Sequence, residues 1–188
     1  MGEGKRRPPA VQRIGRGSTD YPATHLSRLG DNALVALGSP VLLGARKTAL
    51  FCSARTPGEA ILRAHDAARR MRDEGVTVIS GFYSPIEKEC LRILLRGKQA
   101  VIICPARAIQ AMRTLIECRS AFDAGRVLFL SPFADPLKRV TKDSATRRNE
   151  FVAALADEAY IPHVSPSGQT ARIAEMLTGW GVPLVATS

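Results

Sequence analysis

A basic and amide-bearing run, Thr146-Arg147-Arg148-Asn149, stands at the start of a predicted helix. Guanidinium groups grip phosphate oxygens bidentately and stack on bases. Asn149 can hydrogen-bond a base, a sugar or a backbone group. Lys138, Arg139 and Lys142 precede the run, and only Asp135, Asp143 and Glu150 oppose it. These residues fall in 131–150, the longest apparently irregular stretch of the chain. Long loops inside compact domains are more often functional than accidental, while a charged, solvated loop is the plainer reading of the same residues.

Three further segments carry small hydroxyl and glycine residues after apolar runs. Ser53-Ala54-Arg55-Thr56-Pro57-Gly58 can hold a phosphate on its N–H groups with Arg55 supplying charge, or it can be an ordinary turn capped by Thr56. Ser80-Gly81-Phe82-Tyr83-Ser84 offers Gly81 for close backbone approach and an aromatic ring, Phe82 or Tyr83, for stacking on a base; a turn with an aromatic plug also fits. Lys88 is a ligand-facing candidate on what reads as a solvated helix face, Glu87-Lys88-Glu89. Ser165-Pro166-Ser167-Gly168-Gln169-Thr170 opens another helix. Ser167, Gly168, Gln169 and Thr170 there suit an anion cradle and also plain capping.

Catalytic groups are not evident. Neither paired carboxylates, a Cys–His pair nor a Gly-x-Ser-x-Gly elbow stands at a strand end, and His163 reads as polar lining. No Gly-x-Gly-x-x-Gly fingerprint or Gly-Lys-Ser/Thr phosphate loop occurs. His25, His65 and His163 lack metal-ligand spacing. The expectation is therefore a site without catalytic residues, metal or cofactor, built to meet a polyanion or a nucleotide.

The elements that would position these residues are legible as alternating runs. Thr48–Ser53, Val76–Ser80, Ala100–Cys104, Arg126–Leu130, Glu158–His163 and Val182–Ala186 are near-continuous apolar runs, the pattern of strands buried on both faces of a parallel sheet. Amphipathic segments separate them. Ala60, Ala64, Ala67 and Met71 mark one helical face, and Ser84-Pro85-Ile86-Glu87 reads as a capping box with proline at the first helical position. Gly75, Gly97, Gly125 and Gly181 follow helices where left-handed caps are expected. The fold expected is α/β: a Rossmann-like, doubly wound, mainly parallel sheet of about six strands with helices on both faces. In such sheets ligands bind beyond the carboxyl ends of the strands. Residues 24–37 read as a short helix before a Gly38-Ser39-Pro40 turn. Residues 1–22, rich in Gly, Pro, Arg and Lys, read as a flexible basic arm, leaving 23–188 as one domain.

Bulk properties agree with a polyanion partner. The 188 residues carry 27 Lys+Arg against 17 Asp+Glu, a net charge of +10, and pI is about 10.1. Cys52, Cys90, Cys104 and Cys118 sit in apolar surroundings without Cys-x-x-Cys spacing, as reduced core thiols of a cytoplasmic protein would. No apolar run reaches membrane-span length, and no apolar segment follows the basic N-terminus as a secretory signal requires.

The order and spacing of several segments resemble the Rossmann-like domain of the DprA/Smf DNA-processing family, from about residue 26 to 188. The carriers are Gly38-Ser39-Pro40-Val41-Leu42-Leu43, the Ser53/Arg55 strand end, Gly75 to Gly81, Arg148-Asn149-Glu150-Phe151-Val152-Ala153-Ala154-Leu155, and Ser167-Gly168-Gln169-Thr170-Ala171. Ala54 alters the family's Gly-Ser-Arg turn, and Phe82–Cys90 replaces its small-residue run, as expected of a divergent, stand-alone member. The resemblance implies a non-catalytic protein that binds single-stranded DNA in a basic pocket. It also implies a homodimer, a role in recombination or natural transformation, and a recombinase partner. On that reading Arg55, Lys138, Arg139, Arg147 and Arg148 meet phosphates, N–H groups near Ser53, Ser80 and Gly168 fix one of them, and Asn149 and Tyr83 contact a sugar or base. The alternative is a nucleotide-binding protein or phosphoribohydrolase of the lysine-decarboxylase-like group, whose Pro-Gly-Gly-x-Gly-Thr loop Pro166–Thr170 faintly resembles. Arg172 stands close to the place where that group has its acidic residue.

Overall fold

The computed structural model describes residues 10–30, 33–109, 116–133, 137 and 139–185. Seven strands form one sheet: β1 (Gln12–Ile14), β2 (Leu34–Gly38), β3 (Lys47–Leu50), β4 (Thr77–Ser80), β5 (Val101–Ile103), β6 (Val127–Ser131) and β7 (Glu158–Tyr160). Their order is β1-β2-β6-β5-β4-β3-β7. Strands β3 to β6 pair in parallel and march one way, and β7 returns to lie parallel on the other side of β3. Chain direction across the sheet therefore reverses between β3 and β7, the switch point at which such folds open a crevice.

Helices cover both faces: α1 (Leu26–Leu29), α2 (Gly58–Asp73), α3 (Pro85–Leu94), α4 (Arg119–Asp123), α5 (Lys142–Leu155) and α6 (Gln169–Gly179). Alternation along each strand divides the core. Ala49, Ile79, Ile102 and Leu128 pack with α5 and α6 on one face. Leu50, Val78, Val101, Ile103 and Phe129 pack with α2, α3 and α4 on the other. The expected stripe of α2 is buried in full, and α3 starts with the expected capping box on Ser84 and Glu87. Gly75, Gly125 and Gly181 take the left-handed cap conformation, whereas Gly97 does not.

The structure corrects four readings of the sequence. Residues 34–38 are strand rather than helix: β2 pairs antiparallel with β6. A short apolar run has no length by which periodicity could separate the two states. The last residue of this strand has to be glycine: Gly38 has a φ of +117°, and a Cβ there would lie 2.6 Å from the Val127 carbonyl oxygen. The segment read as an arm is partly docked, since Gln12–Ile14 adds an edge strand to β2 and Tyr21 is buried. Only Ile14 of that strand faces the core, too weak a pattern to stand out among charged residues; residues 1–9 lie outside those described. Residues 142–150 are helical, with Thr141 capping α5 through Ser144. The sheet has seven strands where about six were expected, since two strands join at one edge, while among the described residues of the last run Leu184 makes a bridge to Ala159.

Candidate nucleic-acid interface

A cavity of about 290 Å³ opens at the switch point. Its walls come from Phe51–Ala54 after β3, Tyr83–Pro85 and Glu87 after β4, Ala145, Arg148 and Asn149 of α5, and Gln169, Thr170 and Ile173 of α6. Chain topology thus brings residues of all four sequence-read segments to one place.

Arg148 is the cation of this cavity and is only 4% exposed. It holds a core position of α5, in register with Ser144, Phe151, Val152 and Leu155. Its Nη1 donates to the Cys104 carbonyl at 3.3 Å and its Nε to Asn149 Oδ1 at 2.7 Å. Guanidinium offers five donors, so these two bonds leave capacity for a ligand. Burial pulls its pKa below the ordinary value, opposed by the negative field of Glu87; an arginine stays protonated all the same. The Tyr83 ring lies 5.9 Å from this cation and 5.7 Å from Lys88 Nζ. Gly81 makes room for the guanidinium: a Cβ would come within 1.8 Å of Nη1.

Glu87 corrects the expectation of a solvated carboxylate, for it is 7% exposed. Oε1 accepts from Cys52 N at 3.0 Å, and Oε2 accepts from Tyr83 N at 2.8 Å and Ser84 N at 3.2 Å. One side chain thereby ties the end of β3 to the start of α3. Burial pushes its pKa upward, while those N–H donors and Arg148 pull it back. Both oxygens are spent on backbone, which makes Glu87 a brace for the cavity floor.

The turns around the cavity are strained. Phe82 has φ of +46° and Ser167 of +59°, values that cost an ordinary residue of order 1–3 kcal/mol and tend to gather at ligand sites. Phe82 is buried, and Tyr83 beside it is left 55% exposed. Behind Ser167, α6 begins at Gly168 without a side-chain cap. Its first-turn N–H groups and dipole at the cavity rim suit an anion. The Thr170 hydroxyl accepts from Ser165 N at 3.1 Å, closing that loop.

Other expected residues fall elsewhere. Ser53 is half-buried at the rim, its loop closed by Arg55 N onto Ser53 Oγ and by the Thr56 hydroxyl onto the Ser53 carbonyl. Thr56 is therefore a loop tie, and α2 starts without a side-chain cap. Arg55 and Lys88 are exposed and line no wall, Arg55 following Ala54 of the wall and Lys88 facing the Tyr83 ring. Ser80 is fully buried and its hydroxyl serves the turn by accepting from Phe82 N; it does not line the cavity. Arg147 points away from Arg148, over the Phe133 ring at 5.2 Å, into a second groove. Arg139 is exposed and lines neither cavity, and Lys138 lies outside the described residues. Among the described residues no cluster of three potential metal ligands occurs, and no helix is long and apolar enough to cross a membrane. All four cysteines are buried.

Fold and site together define a Rossmann-like α/β domain with an open cavity at its switch point. Solved structures make the class more specific: the chain has a DprA-like fold. It is similar to DNA processing protein A from Streptococcus pneumoniae, with a TM-score of 0.75 and 16% identity over 95% of this chain and 64% of that one. It is also similar to DNA processing protein A from Helicobacter pylori, a structure described for its single-stranded DNA binding mode, with a TM-score of 0.68 and 20% identity over 95% of this chain and 81% of that one. At these identities the likeness is one of fold, and the chain spans under two thirds of the pneumococcal protein's length. No family model and no curated protein sequence matches the chain.

Proposed function

We propose that this protein binds single-stranded DNA at the switch-point cavity, as a non-catalytic DNA-handling protein of the cytoplasm. The observation that carries the reading is the convergence of Arg148, the exposed Tyr83 ring and the uncapped start of α6 on one cavity. A phosphate meets the α6 N–H groups and the guanidinium, a base lies against Tyr83, and Asn149 supplies amide hydrogen bonds to a base or sugar. The exposed Arg55 and Lys88, and the net charge of +10, draw in the flanking phosphates. A single strand suits this chemistry because an aromatic face accepts any unstacked base. The likeness to a DNA-binding protein's fold supports the same assignment. A phosphoribohydrolase would need a carboxylate free to act, and the one at the cavity floor, Glu87, is occupied by three backbone donors.

Fluorescence anisotropy of a labelled single strand across a salt series, with nucleoside monophosphates as competitors, tests this. Affinity should fall steeply with salt, and monophosphates should compete poorly. Absence of strand binding, or displacement by a monophosphate at low concentration, would replace this reading with a nucleotide site.

A further inference from the structure

A second groove of about 320 Å³ is built from α1, α5 and α6. Arg28, Arg147, Glu150, Phe151, Met176 and Trp180 are among its lining residues. Helix α5 serves both sites. Arg147 and Arg148 are consecutive, and one residue turns a helix by about 100°, so their guanidinium groups part to opposite sites. The lining residues of α5 lie between 145 and 154, about 15 Å of helix axis, within reach of one short strand.

The chemistry of the groove is that of a nucleotide subsite. Arg147 is exposed. Arg28 spends one N–H on the Ala156 carbonyl at 2.8 Å and has others to offer. The negative charge of Glu150 is met by Arg172, so the two lining arginines leave the groove cationic. Trp180, the one tryptophan of the chain, is half-buried against the core and brings an indole to the groove. We infer that this groove is a second nucleotide subsite on the same strand-binding surface, taking a base against Trp180 and its phosphate against Arg28 and Arg147. The inference rests on the proposed binding of single-stranded DNA.

Because Trp180 is the one tryptophan of the 188-residue chain, its emission reports on this groove without a label. An unlabelled oligothymidylate is titrated against intrinsic fluorescence, and the same strand, labelled, against anisotropy. The expected result is a saturable change in Trp180 emission with the midpoint of the anisotropy curve. Trp180→Leu should weaken binding about fivefold or more, the lower end of what one stacked base contributes. Arg147→Ala changes an exposed position; it should weaken binding and lower the salt slope by up to about one, independently of whether the Trp180 variant folds. Strand binding with silent Trp180 emission and an unaltered Arg147→Ala variant would overturn the second subsite while leaving the first cavity in place. No strand binding by anisotropy would overturn both.

Discussion

The two ends of the sheet each bury a cation beside a carboxylate, and they use them in opposite ways. At the amino ends of β3 and β7, Lys47 is 2% exposed. Its Nζ donates to the Leu43 and Ala45 carbonyls at 3.1 and 2.8 Å and pairs with Asp157 at 3.2 Å. Three donors meet three acceptors, and nothing is left for a ligand. Asp157 also accepts from Lys47 N and pairs with the buried His25, so this cluster fastens the segment before α1 to the bottom of the sheet. At the carboxyl ends, Arg148 and Glu87 are both buried but do not pair off. Glu87 is consumed by backbone N–H groups, and Arg148 keeps unused donors beside an open cavity. A saturated ion cluster contributes to the fold; an unsaturated one, braced by its neighbours, is free to recognise something.

That contrast can be broken from either end. Lys47→Met should have the largest effect, costing about 3 kcal/mol, because it takes the ammonium from Asp157 and leaves two carbonyls unpaired. Urea denaturation measures the loss, and whatever folded protein remains should bind DNA as before. Gly81→Ala acts at the other end. Its methyl must displace a guanidinium held on Cys104 and Asn149, for roughly 1–3 kcal/mol of overpacking, and strand affinity should fall in parallel. A variant that lost stability but kept full affinity would remove Arg148 from the binding account.

The smallest effect is a pH dependence confined to the amino-end cluster. Burial, and then the Lys47 charge, hold His25 below its ordinary value of 6.5. The unfolded chain thus takes up a proton first, and stability should decline as pH falls below about 6.5. Burial works upward on Asp157, but the Lys47 N–H, the Lys47 ammonium and His25 together keep it below its ordinary 3.8. Its contribution is present above that value and is lost as pH falls further, through the folded pKa. Thermal melts of the protein and of His25→Gln should therefore diverge in slope between about pH 6.5 and 5, the variant being flatter. Parallel curves would show that His25 does not titrate as the cluster requires.

Sequence pattern alone located the parallel strands, the stripe of α2 and the capping box of α3, because each rests on local chemistry. It also named three of the loops around the cavity. What it missed depends on phase and on distant partners. Glu87 reads as part of a solvated helix face and Arg148 as a phosphate-binding cation of a charged loop, yet each occupies a core position of an amphipathic stripe: Arg148 with Phe151, Val152 and Leu155, Glu87 with Cys90, Leu91 and Leu94. A charge in register with apolar residues at three, four and seven positions on was the available signal. Strands β1 and β2 escape for other reasons: β1 is an edge strand with one buried residue, and β2 is a five-residue apolar run too short for periodicity to separate strand from helix. The divergence of Arg147 from Arg148 follows from both lying inside α5, which the Thr141 cap starts ahead of them, because consecutive helical residues point about 100° apart.

Hydrogen–deuterium exchange of the 188-residue chain, with and without a saturating single strand, tests the central claim most directly. Residues 53–56, 81–84, 145–149 and 167–173, around the cavity, should gain protection, while 43–47 and 157–158 at the opposite end of the sheet should exchange unchanged. Protection confined to the amino-end cluster, or none around the cavity under conditions where the strand is bound, would contradict the assignment of the switch-point cavity as the DNA site.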